Sequence, residues 1–129
     1  MSKGIVLSLY DFTGEACRPW AEAGYTCYAF DIQHDGWKIE GFGKDCGGSI
    51  HYRKADLHDH ETLSAIQAEF SDQNVVFGMA FCVCTDLAVS GAAWFAKKAA
   101  ANPSFQDEAV SYAMWCAKLF NSMHIPYFV

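Results

Sequence analysis

The chain has 129 residues, of which 52% are hydrophobic and 19% are charged, and its formal net charge is −6. This length suits one domain, residues 1–129, and the composition excludes a disordered or fibrous protein. The acidic balance also disfavours nucleic-acid binding unless a basic partner or a local patch neutralises the phosphates. No apolar stretch is long enough to cross a bilayer, and the N-terminus Met-Ser-Lys-Gly lacks the apolar segment of a signal peptide, so we expect a cytoplasmic protein without membrane contact.

The first part of the chain predicts a strand, a helix and a second strand. Ile5–Tyr10 is apolar and rich in β-formers, which is typical of a strand buried on both faces. Asp11 or Thr13 is expected to cap the following helix, and Gly24 is expected to end it in a left-handed conformation. Tyr25–Phe30 then predicts the second strand. A strand that returns after so short a helix indicates a right-handed parallel crossover, with a ligand crevice at the carboxyl ends of the strands.

The residues at these strand ends favour a nucleoside ligand. Asp11 and Gly14 follow the first strand, where a glycine lets a ligand approach the backbone and a helix start offers N–H groups to an anion. Asp31 ends the second strand, and a carboxylate there is suited to accept hydrogen bonds from the two hydroxyls of a ribose. The sequence Asp-Phe-Thr-Gly-Glu-Ala keeps only one glycine of the G-x-G-x-x-G pattern. A plain α/β crossover without a nucleoside is therefore the alternative.

The middle of the chain predicts a loop, two more strands and a helix. Gln33–Ser49 carries five glycines and no sustained period, which is typical of a long loop that is functional or inserted. Ile50–Ala55 alternates as a third strand, and His58–Phe70 has apolar residues spaced for one helical face, with Asp59 or His60 near its start. Asn74–Ala80 is apolar throughout, which predicts a central strand.

The last part of the chain predicts a long helix over Pro103–Met123 and a strand that begins at His124. The chain stops at Phe128-Val129, which is apolar, so we expect a sheet that is cut short after about its fifth strand. The exposed edge of such a sheet is expected to pair with a second copy or a partner. The predicted fold class is α/β, a mostly parallel open sheet with flanking helices.

The six cysteines predict buried thiols rather than disulfides or a metal site. Cys82 and Cys84 are separated by one residue, whereas zinc sites usually separate their paired cysteines by two to four, and no second pair follows. A small metal-binding domain that also uses the nearby histidines is a weaker alternative. The cysteines interpreted as packing residues are Cys17, Cys27, Cys46 and Cys116.

Taken together, these motifs resemble the S-adenosylmethionine-dependent DNA methyltransferases of the cytosine-C5 type, including their phage and metagenomic relatives. The resemblance rests on Asp-x-x-Gly after the first strand, on acids after the next two strands, and on Cys82-Val83-Cys84-Thr85, which the family writes as Pro-Pro-Cys-Thr. It covers the N-terminal part of that family's catalytic domain. It implies a Rossmann-like methyltransferase fold, the cofactor S-adenosyl-L-methionine and DNA as a partner.

The resemblance also implies a role for individual residues. Cys84 would be the nucleophile, whose thiolate adds to C6 of a flipped-out cytosine so that C5 can take the methyl group. Val83 departs from the family's proline, and the Glu-Asn-Val motif of the family would lie beyond Val129, so we expect this chain to be inactive alone. The alternative is a non-catalytic nucleoside-binding or association module with the same fold. The implied cofactor-binding residues are Asp11, Phe12, Thr13, Gly14, Asp31, Ile32, Asp56 and Leu57.

Overall fold

The computed structural model of the protein describes residues 2–43, 47–82 and 105–129. In this part of the chain six strands form one sheet: β1 (Ile5–Leu9), β2 (Thr26–Asp31), β3 (Trp37–Phe42), β4 (Gly48–Lys54), β5 (Val75–Ala80) and β6 (Tyr127–Phe128). The helices of the same residues are α1 (Arg18–Glu22), α2 (His60–Phe70) and α3 (Phe105–Ser122). None of these helices combines the length and the apolarity needed to cross a membrane.

The sheet is mixed but mostly parallel, which confirms the predicted α/β class. Its strand order is β3-β4-β2-β1-β5-β6, and only β3 is antiparallel to its neighbour. The five strands expected from the sequence are all present, as β1, β2, β4, β5 and β6. The sequence predicted that β5 is central. It is an internal strand, paired with β1 on one side and with the short β6 on the other, and the two middle strands of the sheet are β2 and β1.

Helices cover both faces of the sheet, and each face has its own core. On one face α1 buries Cys17 and Ala21 against Val6 of β1 and other buried residues of the sheet. On the opposite face α2 and α3 pack on the alternate residues of β1, Leu7 and Leu9. This alternation follows from the two-residue period of a strand. The helical residues of the second core are Leu63, Ile66, Phe70, Cys116, Leu119 and Phe120.

The loop predicted over Gln33–Ser49 is wrong in its middle, where β3 forms. Trp37 pairs with Arg53 and Phe42 pairs with Gly48, so β3 lies antiparallel along the outer side of β4. The glycines of the segment interrupt the alternation of apolar and polar residues that would indicate a strand. The strand exists because β4 offers it an unpaired edge, and this tertiary partner overrides the weak local propensity.

The first helix is shorter than predicted and begins later. Its N-cap is Cys17, which makes no side-chain capping hydrogen bond, so the expected caps Asp11 and Thr13 are wrong. The backbone instead makes a turn in which Cys17 N–H donates to the Gly14 carbonyl at 3.0 Å, and the helix follows that turn. Two other predicted ends are confirmed: Gly24 has a positive φ of 104°, and Asp59 caps α2 by accepting from the Glu61 N–H.

Candidate functional site

The carboxyl ends of four parallel strands lie along one edge of the sheet, because β1, β2, β4 and β5 all run in the same direction. Asp11 lies just beyond β1, Asp31 closes β2, and Asp56 lies just beyond β4. Cys82 lies beyond β5 at the same edge. Parallel pairing thus brings residues from distant parts of the sequence to one region of the surface.

Asp11 is buried and uses its carboxylate to organise the loop after β1. Its Oδ1 accepts from the Gly14 N–H at 2.8 Å, and its Oδ2 accepts from the Ser8 hydroxyl at 2.8 Å. The Cys17 thiol also lies 3.5 Å from Oδ2. Both carboxylate oxygens of this buried residue accept hydrogen bonds from the chain, so Asp11 shapes the loop after β1.

Gly14 is needed for the same loop, for two separate reasons. Its φ is +74°, in the region that favours glycine. A Cβ at this position would lie 2.6 Å from the ring and from the hydroxyl of Tyr52, so the loop packs directly against β4. The Tyr52 hydroxyl donates to Glu40 Oε1 at 2.9 Å, and burial together with this hydrogen bond raises the pKa of Tyr52 to about 12.

Phe12 and Thr13 face a cleft of about 440 Å³, which we call the Phe12 cleft. Phe12 is half-exposed, and its ring stacks on His34 with ring centres 5.4 Å apart. His34 is buried and its Nε2 donates to the Asp11 carbonyl at 3.2 Å, since a carbonyl can only accept. The other walls of the Phe12 cleft include Trp37, Lys38 and Tyr52.

The remaining predicted cofactor residues face a different cleft, of about 150 Å³, which we call the Asp31 cleft. It lies beyond the ends of β2 and β4. The structure therefore divides six of the eight predicted residues between two clefts, which share Gln33 in their walls; Asp11 and Gly14 line neither cleft. The lining of the Asp31 cleft includes Asp31, Ile32, Asp56, Leu57, Tyr10 and His58.

Asp31 is the buried acceptor of this cleft. Its Oδ1 accepts from the Gln33 N–H at 2.8 Å, and its Oδ2 has no hydrogen-bond partner among the described residues. Asp56 is exposed, and its Oδ1 accepts from the His58 N–H at 3.1 Å. Ile32 is 55% exposed, whereas Leu57 is buried in the core beneath the cleft. The Asp31 cleft thus combines two carboxylates with apolar walls.

Tyr10 lines the Asp31 cleft, and the sequence did not identify it as a site residue. Its backbone φ is +59°, which is uncommon for a residue other than glycine and concentrates at functional sites. Its hydroxyl is buried and has no hydrogen-bond partner among the described residues. Burial raises the pKa of Tyr10 above its usual range, and the nearby thiols of Cys116 and Cys82 raise it further. No sequence signal reports a left-handed tyrosine, because a turn of this kind depends on packing around it.

His58 is a second residue that the sequence missed, although it adjoins the predicted pair Asp56-Leu57. Its ring stacks on Tyr112 of α3 with ring centres 3.6 Å apart and planes within 2° of parallel. It also lies 5.7 Å from the Tyr10 ring. These contacts join the rim of the Asp31 cleft to α3.

The predicted nucleophile, Cys84, lies outside the described residues, as does Cys46. Within the described part of the chain, no group of three histidine, cysteine or acidic side chains is arranged to hold a metal ion. The predicted packing thiols Cys17, Cys27 and Cys116 are confirmed as buried.

No protein-family model matches the chain, and no curated protein matches it.

Proposed function

We propose that the chain is the S-adenosyl-L-methionine-binding part of a protein similar to DNA (cytosine-5) methyltransferases. The observation that carries the proposal is the Asp31 cleft. Asp31 and Ile32 meet Asp56 and Leu57 there, although 23 residues lie between the two pairs in the sequence. These are four of the eight residues that the resemblance assigns to the cofactor.

The strand order supports the proposed Rossmann-like fold. If the antiparallel β3 is set aside as an addition at one edge, the remaining order is β4-β2-β1-β5-β6. Numbered along the chain this is 3-2-1-4-5, the order of doubly wound sheets that bind nucleotides beyond their carboxyl strand ends. The Asp31 cleft lies at these ends.

The chemistry of the cleft residues fits a nucleoside. Asp31 Oδ2 is an acceptor without a partner in the described part of the chain, and a ribose offers two adjacent donors. Asp56 can accept from an exocyclic amino group, and the exposed side chain of Ile32 can cover one face of a flat base. Complete sites for drug-sized ligands measure roughly 300–1,000 Å³, so a cleft of about 150 Å³ suits the base and part of the sugar.

The proposal keeps Cys84 as the nucleophile and DNA as the methyl acceptor. S-adenosylmethionine would supply the methyl group. The formal charge of −6 weakens any contact with a polyanion, so we expect this chain by itself to bind DNA poorly. The cysteines described by the structure are free thiols, which suits a reducing compartment such as the cytoplasm.

Calorimetry with S-adenosylhomocysteine tests the cofactor assignment. Asp31→Asn should weaken binding by about 1.5–3 kcal/mol, because it replaces a charged acceptor of hydrogen bonds. Asp35→Asn is the matched control, since Asp35 is exposed and lines the Phe12 cleft instead. Equal binding by both variants and the unmodified chain would contradict the proposed site.

A second candidate function is an association module without catalysis, and the β6 edge of the sheet favours it. Among the described strands β6 pairs only with β5. Phe128 is 45% exposed and its ring lies 5.5 Å from that of Phe81, which is 40% exposed. Exposed strand edges with apolar side chains pair readily with another chain.

Light scattering distinguishes this second candidate. A dimer at high concentration should revert to a monomer in Phe128→Lys, and it should persist in Met114→Lys, which places the same charge on an exposed residue of α3. A monomer at every concentration would argue against association through β6.

A further inference from the structure

Two thiols face each other where β5 ends and α3 crosses it. Cys82 lies two residues beyond β5, Cys116 lies within α3, and their sulfur atoms are 4.0 Å apart. Cys116 is fully buried, whereas Cys82 is only partly buried. A disulfide has a sulfur–sulfur distance of about 2.05 Å, so closing the bond requires the two sulfurs to approach by roughly 2 Å.

The two thiols are chemically unequal. The hydrogen bond between the two thiols lowers the pKa of Cys82, although partial burial opposes this. The same interaction and burial raise the pKa of Cys116. The negative charge therefore forms on the sulfur that solvent reaches, while the buried sulfur keeps its proton. This is the arrangement of an attacking thiol with a resolving thiol behind it.

We propose that Cys82 and Cys116 are a redox modification site that exchanges with a small disulfide such as glutathione disulfide. The Cys82 thiolate attacks one sulfur of the small disulfide, its S–S bond breaks, and one small thiolate leaves and takes up a proton. Cys116 then loses its proton and attacks the Cys82 sulfur, which releases the second small thiol. The two cysteines are oxidised by two electrons, and one small disulfide is reduced to two thiols.

The modification would lie against the Asp31 cleft. Tyr10 contacts the same core cluster as Cys82 and Cys116, and its buried hydroxyl lacks a hydrogen-bond partner in the described residues. The proposal does not depend on which ligand the cleft takes, because the exchange is between the protein and the small disulfide alone.

The chain carries its own control pair. Cys17 and Cys27 are also close to each other, since the Cys27 thiol lies 3.6 Å from the Cys17 carbonyl. Both are fully buried on the other face of the sheet. Exchange needs an accessible thiolate, so this second pair should not react while the protein is folded.

The test uses the full chain with Cys46→Ser and Cys84→Ser, which removes the thiols outside the described residues. The protein is equilibrated with glutathione disulfide, its remaining thiols are alkylated, and its peptides are mapped by mass spectrometry. We expect a peptide pair cross-linked through Cys82 and Cys116, and we expect reducing agent to reverse it. Cys17 and Cys27 should be alkylated only after unfolding.

Two variants separate the steps. Cys116→Ala should stop at a glutathione adduct on Cys82, and Cys82→Ser should lose the cross-link and leave Cys116 unmodified. Circular dichroism identifies any variant that fails to fold, and Cys116→Ser then replaces Cys116→Ala. The proposal is overturned if the folded chain that carries only Cys46→Ser and Cys84→Ser forms no cross-linked peptide, or if Cys17 and Cys27 oxidise as fast as Cys82 and Cys116.

Discussion

Gly14→Ala should destabilise the protein, because alanine at this position meets both backbone strain and a packing conflict. The new methyl group meets two penalties. A left-handed backbone at a residue with a Cβ costs about 1–2 kcal/mol, and the φ of Gly14 is +74°. Overpacking adds about 1–3 kcal/mol, because the Cβ would lie 2.6 Å from the Tyr52 ring. The expected loss is therefore about 2–5 kcal/mol of unfolding free energy.

Two control glycines isolate these terms. Gly36 has a φ of +145° but open space within 4 Å of its Cβ position, so Gly36→Ala should lose only the backbone term, about 1–3 kcal/mol. Gly41 also has open space and has no positive φ, so Gly41→Ala should be neutral or gain up to about 1 kcal/mol. The reduced entropy of the unfolded chain is common to all three variants and cancels in the comparison.

Urea denaturation followed by tryptophan fluorescence measures the three losses, and an unchanged slope shows that only stability has altered. The Tyr52 contact is then tested by repeating Gly14→Ala in a Tyr52→Leu background, where the shorter side chain should recover about 1–3 kcal/mol of the loss. The reasoning is refuted if Gly14→Ala costs less than about 2 kcal/mol, or if Tyr52→Leu leaves the cost unchanged.

Two further predictions concern the core and the pH dependence of stability. Phe120→Ala should cost about 3–5 kcal/mol of unfolding free energy, because the ring is fully buried against Gly78. Met114→Ala, at an exposed position of α3, should change stability by less than about 0.5 kcal/mol. Denaturant midpoints measure both variants, and equal losses would contradict the assigned core. The pKa of His51 is lowered from 6.5 by burial and by Arg53, so the unfolded chain binds this proton more readily than the folded one. The stability that His51 contributes should be complete above pH 6.5 and should decline as the pH falls through the lowered pKa of His51. The measurement is the difference in unfolding free energy between the unmodified chain and His51→Gln, from about pH 7.5 to about pH 5, around the usual pKa of histidine. A difference that stays constant over this range would contradict the prediction.

The elements that the sequence predicted well are those whose signal lies within a few neighbouring residues. The apolar run of β1 and the helical spacing of α2 each indicate their structure without knowledge of a partner. Gly24 and Asp59 likewise act on the backbone beside them, so the helix ends they mark are found where predicted.

The candidate site was only partly predictable. Asp31 and Asp56 could be placed at strand ends, and parallel pairing then brings them to the same edge of the sheet. Asp11 also follows a strand, and in the sequence it looks equivalent to these two acids. In the structure its carboxylate accepts hydrogen bonds from Ser8 and Gly14, and these contacts depend on how the loop folds back. The conformation of Tyr10 and the 4.0 Å approach of Cys82 to Cys116 have no local signature at all.

By itself the sequence determined the α/β class, the five strands of the parallel framework and the acids at their ends, because hydrophobic period and turn chemistry act over short distances. The tertiary structure alone decided that Trp37–Phe42 forms β3, since that strand exists through its antiparallel partner β4. It also decided that six of the eight predicted ligand residues are divided between two clefts. Gly14 packs beneath Tyr52 and thereby fixes the loop that carries Phe12 and Thr13, and such contacts depend on the register of strands that are distant in the chain.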